Sequence, residues 1–327
     1  MFLPNTLFLR RVISAAIVLS LVAVSLAAVC DGKNARLTLT PKFAPGETLV
    51  YQIEMQTTTA GKTVTPIMNN EGATEATLRI GMLERLEVLS VAAQDNSVRL
   101  RLTWDESHAD AISDALDPTT GDPAVPFKEL QGQSVEFTLS PNGALADFKG
   151  LEDVLPGGMP PPESVAWIAS LAAASGFPRG GIEVGQRWKA EHPISGAPLA
   201  DLFWSTESTY DHNEACAPFG TAAPKAPQPG QQCAVIVSQM SISRHGGSRD
   251  QTPSDYLHNG LRTAGTWTGT GQEMGSIAIQ TGRLISATET SSQTMDYTIT
   301  SASSGSSIHY TARVQSQTGI TLVSQSE

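Results

Sequence analysis

The densest group of side chains able to do chemistry is the stretch WDESHAD, where Asp105, Glu106, His108 and Asp110 fall within six positions. Carboxylates and an imidazole at this spacing are the ligand types of a divalent-cation site. The same composition also marks a polar strand end running into a loop, and no second cluster completes a coordination shell. YDHNEAC offers a smaller group, Asp211, His212 and Glu214, leading into Cys216. The remaining histidines, His192, His245, His258 and His309, are scattered. The expectation is no metal and no cofactor.

Nucleophilic catalysis fares no better. Gly-x-Ser-x-Gly is absent, and SSGSS at residues 303–307 reads as a turn. SRHGGSRD around His245 makes Ser, His and Asp near neighbours, whereas a working triad draws its members from separated positions. The glycines of GTWTGTGQEMGS are followed by no Lys-Ser or Lys-Thr pair, so they read as strand bends or bulges rather than a phosphate loop. Paired glycosidase carboxylates come from distant parts of a fold and are not legible from spacing. Aromatic residues make up only 6% of the chain, a thin supply of sugar-stacking platforms. The chain therefore reads as non-catalytic, with a hydrolase whose site is dispersed as one alternative.

The three cysteines divide unevenly. Cys216 and Cys233 flank APFGTAAPKAPQPGQQ, a Pro/Gly/Ala-rich loop unable to pack a core, and the economical assignment is one disulfide between them. Closing such a loop removes unfolded-state entropy worth about 3 kcal/mol. Two free thiols or a metal pair are the alternatives. Cys30 follows Arg10, Arg11 and an uncharged apolar run from Val12 to Val29, the pattern of a secretion signal. Small residues ending at Ala27 or Ala28 suit cleavage there, giving a periplasmic or extracellular chain. Lipidation of Cys30 is the alternative, although Val29 stands where a small residue is needed; only then would a membrane tether result. An uncleaved anchor is a further alternative. The net charge of −11, more acidic still without the two arginines, argues against nucleic acid as a partner.

The elements that would carry these residues are mostly strands. Leu49, Tyr51, Ile53 and Met55 alternate with Val50, Gln52, Glu54 and Gln56, and Val98, Leu100, Leu102 and Trp104 alternate with Arg99, Arg101 and Thr103. Val135 to Leu139, Met295 to Ile299 and Ile308 to Val314 follow the same rule. These are half-buried antiparallel strands. Pro141, Asn142 and Gly143 read as a hairpin turn. Ala76 to Ala93 reads as a long strand with a bulge near Gly81. One helix is expected over Pro162–Ser175, where Val165, Ile168, Leu171 and Ala172 fall at helical spacing before Gly176.

The expected fold is mainly β, about twelve antiparallel strands in curved sheets or a half-barrel with one main helix. A faint echo pairs Tyr51 with Trp188, Val98 with Val235 and Gly143 with Gly282. It suggests two duplicated modules. The organisation predicted is a signal at 1–28, an N-terminal segment at 29–44, strand-rich modules at 45–160 and 179–327, a helix at 161–178 between them, and a disulfide-closed loop at 216–233.

LQGQSVEFTLSPNGALADFKGLEDV, a short helix, then FPRGGIEVGQRWKAE resembles a family of uncharacterised exported bacterial proteins. They share a Phe-x-Leu-Ser-Pro-x-Gly hairpin and, some forty residues on, Val-Gly-x-x-Trp. The resemblance spans roughly residues 45 to 190 and implies export and fold, not activity. The architecture is also similar to the half-barrel carriers of lipids and lipoproteins in bacterial envelopes. The function expected is an exported, non-catalytic envelope protein that binds an apolar or amphipathic ligand, or a protein partner, on a concave sheet face. A small-residue helix, SVAWIASLAAASG, would serve as a lid or as a plug. A structural or adhesive module, suggested by the Thr/Ser-rich faces after Gly265, is the other alternative.

Overall fold

A computed structural model describes residues 36–64, 74–113, 122, 124–141, 143–151, 154, 168, 171–172, 177–178, 180–194, 196–217, 231–246 and 250–326. Residues 38–327 form one compact unit. Its framework is one curved, unclosed antiparallel sheet of eleven strands. They are β1 (Thr48–Val64), β2 (Thr74–Val91), β3 (Val98–Ser113), β4 (Ser134–Leu139), β5 (Leu145–Lys149), β6 (Arg187–Pro193), β7 (Leu202–Ala215), β8 (Gln232–Arg244), β9 (Leu261–Ala278), β10 (Leu284–Ser301) and β11 (Ser307–Ser326).

The order across the sheet is β5-β4-β3-β2-β1-β11-β10-β9-β8-β7-β6. Every strand neighbours its predecessor except β6, which begins at the far edge, and the meander returns so that β11 pairs with β1 along its whole length. Both strand-rich segments therefore belong to one continuous sheet. The echoed positions lie five strands apart in each case: Tyr51 on β1 and Trp188 on β6, Val98 on β3 and Val235 on β8, Gly143 between β4 and β5 and Gly282 between β9 and β10.

The alternating runs all lie on strands. Because residues directly opposite on neighbouring strands share a face, the register sorts the sheet into an inner and an outer face. The inner face carries Leu49, Tyr51 and Ile53 of β1, Met82 and Leu86 of β2, Leu100, Leu102 and Trp104 of β3, and Val135, Phe137 and Leu139 of β4. All are buried and form the core at one end of the sheet. The outer face carries charge, with Arg85 bridging Asp105 and Glu87, and Arg99 and Arg101 converging on Glu136.

The bulges cluster beside this core. Leu89, Asp105, Asp211, Ile285 and Val323 are each the extra residue at a register shift, an irregularity that bends a strand and increases its twist. The strand expected over Ala76 to Ala93 with a bulge near Gly81 is β2; its ladder with β3 shifts at Leu83/Glu84, two residues past Gly81, and again at Val88/Ser90, while Gly81 itself is in register with His108. The His108 ring lies across Gly81, 2.3 Å from where a Cβ would stand. The β9 glycines, expected at strand bends or bulges, are not at bulges where they face β10 at Gly269 and Gly271. The ladder with β10 runs unbroken through Gly269 and Gly271, which leave room for Ile242 and Met240 of β8.

The hairpin at 141–143 is present, with Gly143 at φ 85° and its N–H donating to Ser140 O. Of the expected helix Pro162–Ser175, Ile168, Leu171 and Ala172 are described. The Ala172 N–H donates to Ile168 O, and all three are buried; the other positions lie outside the described residues. Two helices of about one turn went unanticipated, α1 (Val125–Lys128) and α2 (Ser254–His258), both too short to show a helical period. Among the described residues, no helix is long and apolar enough to cross a membrane.

Candidate ligand-binding face

The inner face changes character along the strands. Beyond the core it stays apolar but is only half-buried, at Met55, Leu78, Met240, Ile242, Trp267, Met295, Val314 and Ile320. Trp204, Tyr297 and Tyr310 continue this surface toward the far end, the two tyrosine rings 5.1 Å apart. Ala197, Leu199 and Leu202 close one corner of it against Ile242 and Trp267. The strands that build it are long; β11 has 20 residues, a span of about 65 Å at the usual rise.

A polar row crosses this apolar wall. Ser208 on β7, Ser238 on β8, Glu273 on β9, Glu289 on β10 and Thr318 on β11 are successive register partners, and Met55, Ile80 and Ala109 complete the row. The two serine hydroxyls are 3.0 Å apart. Burial pushes the Glu273 carboxyl above the ordinary range, and the facing Glu289 pushes it further. Burial raises Glu289 as well. Next to Glu273 on the same face, Gly275 is buried, yet a Cβ there would meet nothing within 4 Å. Of the Lys and Arg residues on the described strands, Arg244 alone takes the inner phase, and it bonds Ala200 O at the far end of β8.

A third inner carboxylate, Glu84, lies in the core. Its Oε1 accepts from the Trp104 indole N–H at 2.8 Å, and its Oε2 has no partner. Burial lifts the carboxyl to about 8, opposed by the indole hydrogen bond. Sequence reading missed these three acids. For Glu84 a signal exists: it occupies the apolar phase of Ile80, Met82, Leu86 and Val88, where an acid is out of place.

The residues singled out from sequence are elsewhere. WDESHAD is not a strand end; it lies inside β3, which continues to Ser113. Its Asp105 is held by the Arg85 guanidinium, and Glu106, His108 and Asp110 line an open outer groove of about 640 Å³ with Glu54 and Arg79. His212 lies between Asp211 (2.8 Å) and Glu214 (3.8 Å) on β7. His245 Nε2 meets both Glu191 at 3.2 Å and Ser243 Oγ at 3.4 Å. One nitrogen facing both partners leaves no relay across the ring, so this is not a triad. His258 Nδ1 is 2.7 Å from Ser254 O, His309 Nε2 is 2.8 Å from Asp296, and His192 is exposed on β6. Among the described residues, no group of three or more His, Cys, Asp or Glu side chains is placed to hold a metal ion.

The disulfide is formed between Cys216, just past β7, and Cys233 on β8, with Cα atoms 5.0 Å apart. It joins neighbouring strands across the Pro-rich loop. Cys30 and the signal segment lie outside the described residues.

No protein-family model matches the chain, and no curated protein matches it. Among solved structures, one described as lipid–protein interactions in lipovitellin is similar at a TM-score of 0.45 and 13% identity, over 87% of this chain. The match covers 26% of that chain, so the present chain spans about a quarter of its neighbour's length.

Proposed function

We propose that this is an exported envelope protein that holds an apolar or amphipathic ligand against the apolar inner face of its curved sheet. The observation that carries the reading is the half-buried apolar surface running from Met55 and Leu78 through Met240, Ile242, Trp267 and Met295. A soluble sheet gains by covering such side chains, at about 25 cal/mol per Å². An extended patch left half-covered beside a complete core marks a binding surface. Three methionines on it supply an unbranched, deformable contact suited to a flexible chain. The Cys216–Cys233 bridge supports export, because such bonds persist in oxidising compartments. Retention of the leader as a lipidated or uncleaved anchor would change where the protein is held, not this face.

Native mass spectrometry of protein purified from its host tests the reading. Added mass from a co-purifying lipid is expected, and it should be lost in Gly275→Leu, which fills the open space beside Glu273. Clean apoprotein that also ignores neutral amphiphiles in a tryptophan fluorescence titration would refute it.

A further inference from the structure

Glu84 sits at a mechanical boundary of the sheet. The β2/β3 ladder breaks between Leu83 and Glu84 and again between Val88 and Ser90, so Glu84–Val88 pairs with Leu100–Trp104 as a short panel between two bulges. An overlapping stretch of β3, Val98–Thr103, is the part of β3 that β4 pairs with, and β4 in turn holds the edge strand β5. The attachment of the β3–β5 edge at this end therefore runs through the panel that carries Glu84.

Glu84 is fully buried, with Oε1 on the Trp104 indole and Oε2 on nothing. A neutral carboxylic acid leaves only one weak debt in that position. An ionised one leaves a charge in an apolar wall, facing Leu86, Leu102 and Leu322. Among the described residues, the neighbouring elements supply no cation. Arg85 on its own strand and Arg101 on β3 take the outer face and are bound to Asp105 and Glu136. Lys128 on α1 pairs with Asp122. Tyr51 on β1, the register partner, spends its hydroxyl proton on Leu284 O, and Arg283 beyond it is bound to Glu47. The shift of the Glu84 carboxyl to about 8 agrees with this geometry.

We propose that Glu84 is a proton-operated latch on the sheet edge, keeping β3, β4 and β5 docked on β2 while it holds its proton and letting that edge part when it loses it. The inference goes beyond ligand binding and stands whether or not the inner face is occupied. The closed form binds the proton more tightly than the open one, in which the carboxyl returns to about 4.5. Opening is therefore favoured progressively as pH rises from about 4.5 to about 8, and levels off above. Between pH 5 and pH 8 the opening equilibrium should rise by roughly a few hundredfold.

The test compares amide hydrogen exchange in the full chain with that in Glu84→Gln at matched pH, which cancels intrinsic exchange rates. Glu84→Met serves as a second non-titrating variant should Gln fold poorly. The expected result is a pH-dependent excess of exchange in the native chain over residues 98–149, absent over β9 to β11. The Trp104 indole N–H resonance should titrate in parallel and stay fixed in both variants. Equal pH dependence in native and variant protein, or an excess spread evenly over all eleven strands, would overturn the latch.

Discussion

Glu47 and Arg283, 236 residues apart and just ahead of β1 and β10, form a buried ion pair, with Arg283 Nη2 at 2.7 Å from Glu47 Oε2. The side chains are 2% and 8% exposed. The pair is fully furnished: Gln325 of β11 and the Ala44 N–H donate to the carboxylate, while Arg283 also donates to Lys42 O. It ties the segment before β1 to the β9–β10 turn, where the Lys42 N–H donates to Thr281 O. Removing one partner strands a buried charge. Arg283→Ala should lower stability by about 3 to 5 kcal/mol, whereas Glu47→Leu with Arg283→Met should cost less than either single change. Urea denaturation of Arg283→Ala, of Glu47→Leu and Arg283→Met singly, and of the double variant checks both statements.

The disulfide acts on the unfolded chain. Cys216 and Cys233 are 17 positions apart, a loop whose closure is worth about 3 kcal/mol on the chain-entropy account. Replacing both with Ser should lower stability by about 2 to 4 kcal/mol and leave the far-UV spectrum unchanged. The ladder of β7 with β8, from Leu202/Arg244 to Ala215/Gln232, does not depend on the bridge. Protease should nick the 216–233 loop first once the bond is reduced.

Two glycines separate a hard contact from a soft one. A Cβ at Gly282 would stand 2.4 Å from the Thr40 carbonyl oxygen, and its φ of 65° disfavours any side chain. Backbone cannot yield there, so Gly282→Ala should cost roughly 2 kcal/mol or more by thermal denaturation. At Gly81 the obstacle is the exposed His108 ring, which can swing outward. Gly81→Ala should cost under about 1 kcal/mol and be read chiefly as a shift of the His108 ring resonances.

What the sequence made legible follows from which interactions are local. Alternation is a period-two signal carried within each strand, so Tyr51, Leu100 and Phe137 announced the buried face and Pro141 to Gly143 the hairpin. Cys216 and Cys233 were readable because a coreless loop separates them. The meander's closure of β11 on β1 was not, since no local pattern encodes a pairing such as Tyr51 with Leu322. The contact of Gly81 with the His108 ring was hidden for the same reason, since it is visible only with the register of β2 on β3. The Glu273–Glu289 pair was hidden because β9 and β10 alternate among Gly, Thr and Ser, where an acid on the inner phase does not stand out.

For the ligand proposed above, the chemistry of that pair predicts which sign of head group the inner face should favour. Glu273 and Glu289 face each other in register with no hydrogen bond or ion pair to either carboxyl among the described residues, flanked by Ser238 and Thr318. Both are held above the ordinary carboxylate range, by burial first and for Glu273 also by repulsion from Glu289. An acid with a raised folded value favours the native state in its protonated form, and that preference is lost as pH rises through the folded value. A positively charged head group reverses the balance by stabilising the carboxylates, so its binding should release protons and tighten with rising pH. An anionic head group gains nothing and is repelled. Dodecyltrimethylammonium should therefore bind more tightly than dodecyl sulfate below their micelle concentrations, with dodecyl maltoside between them. Glu273→Gln with Glu289→Gln should weaken the ammonium amphiphile about tenfold, equivalent to about 1.4 kcal/mol, and leave the maltoside unchanged. Calorimetry in buffers of different ionisation enthalpy reads the proton release directly. Equal affinity for all three amphiphiles would leave the apolar surface as the binding determinant and remove the carboxylates from it.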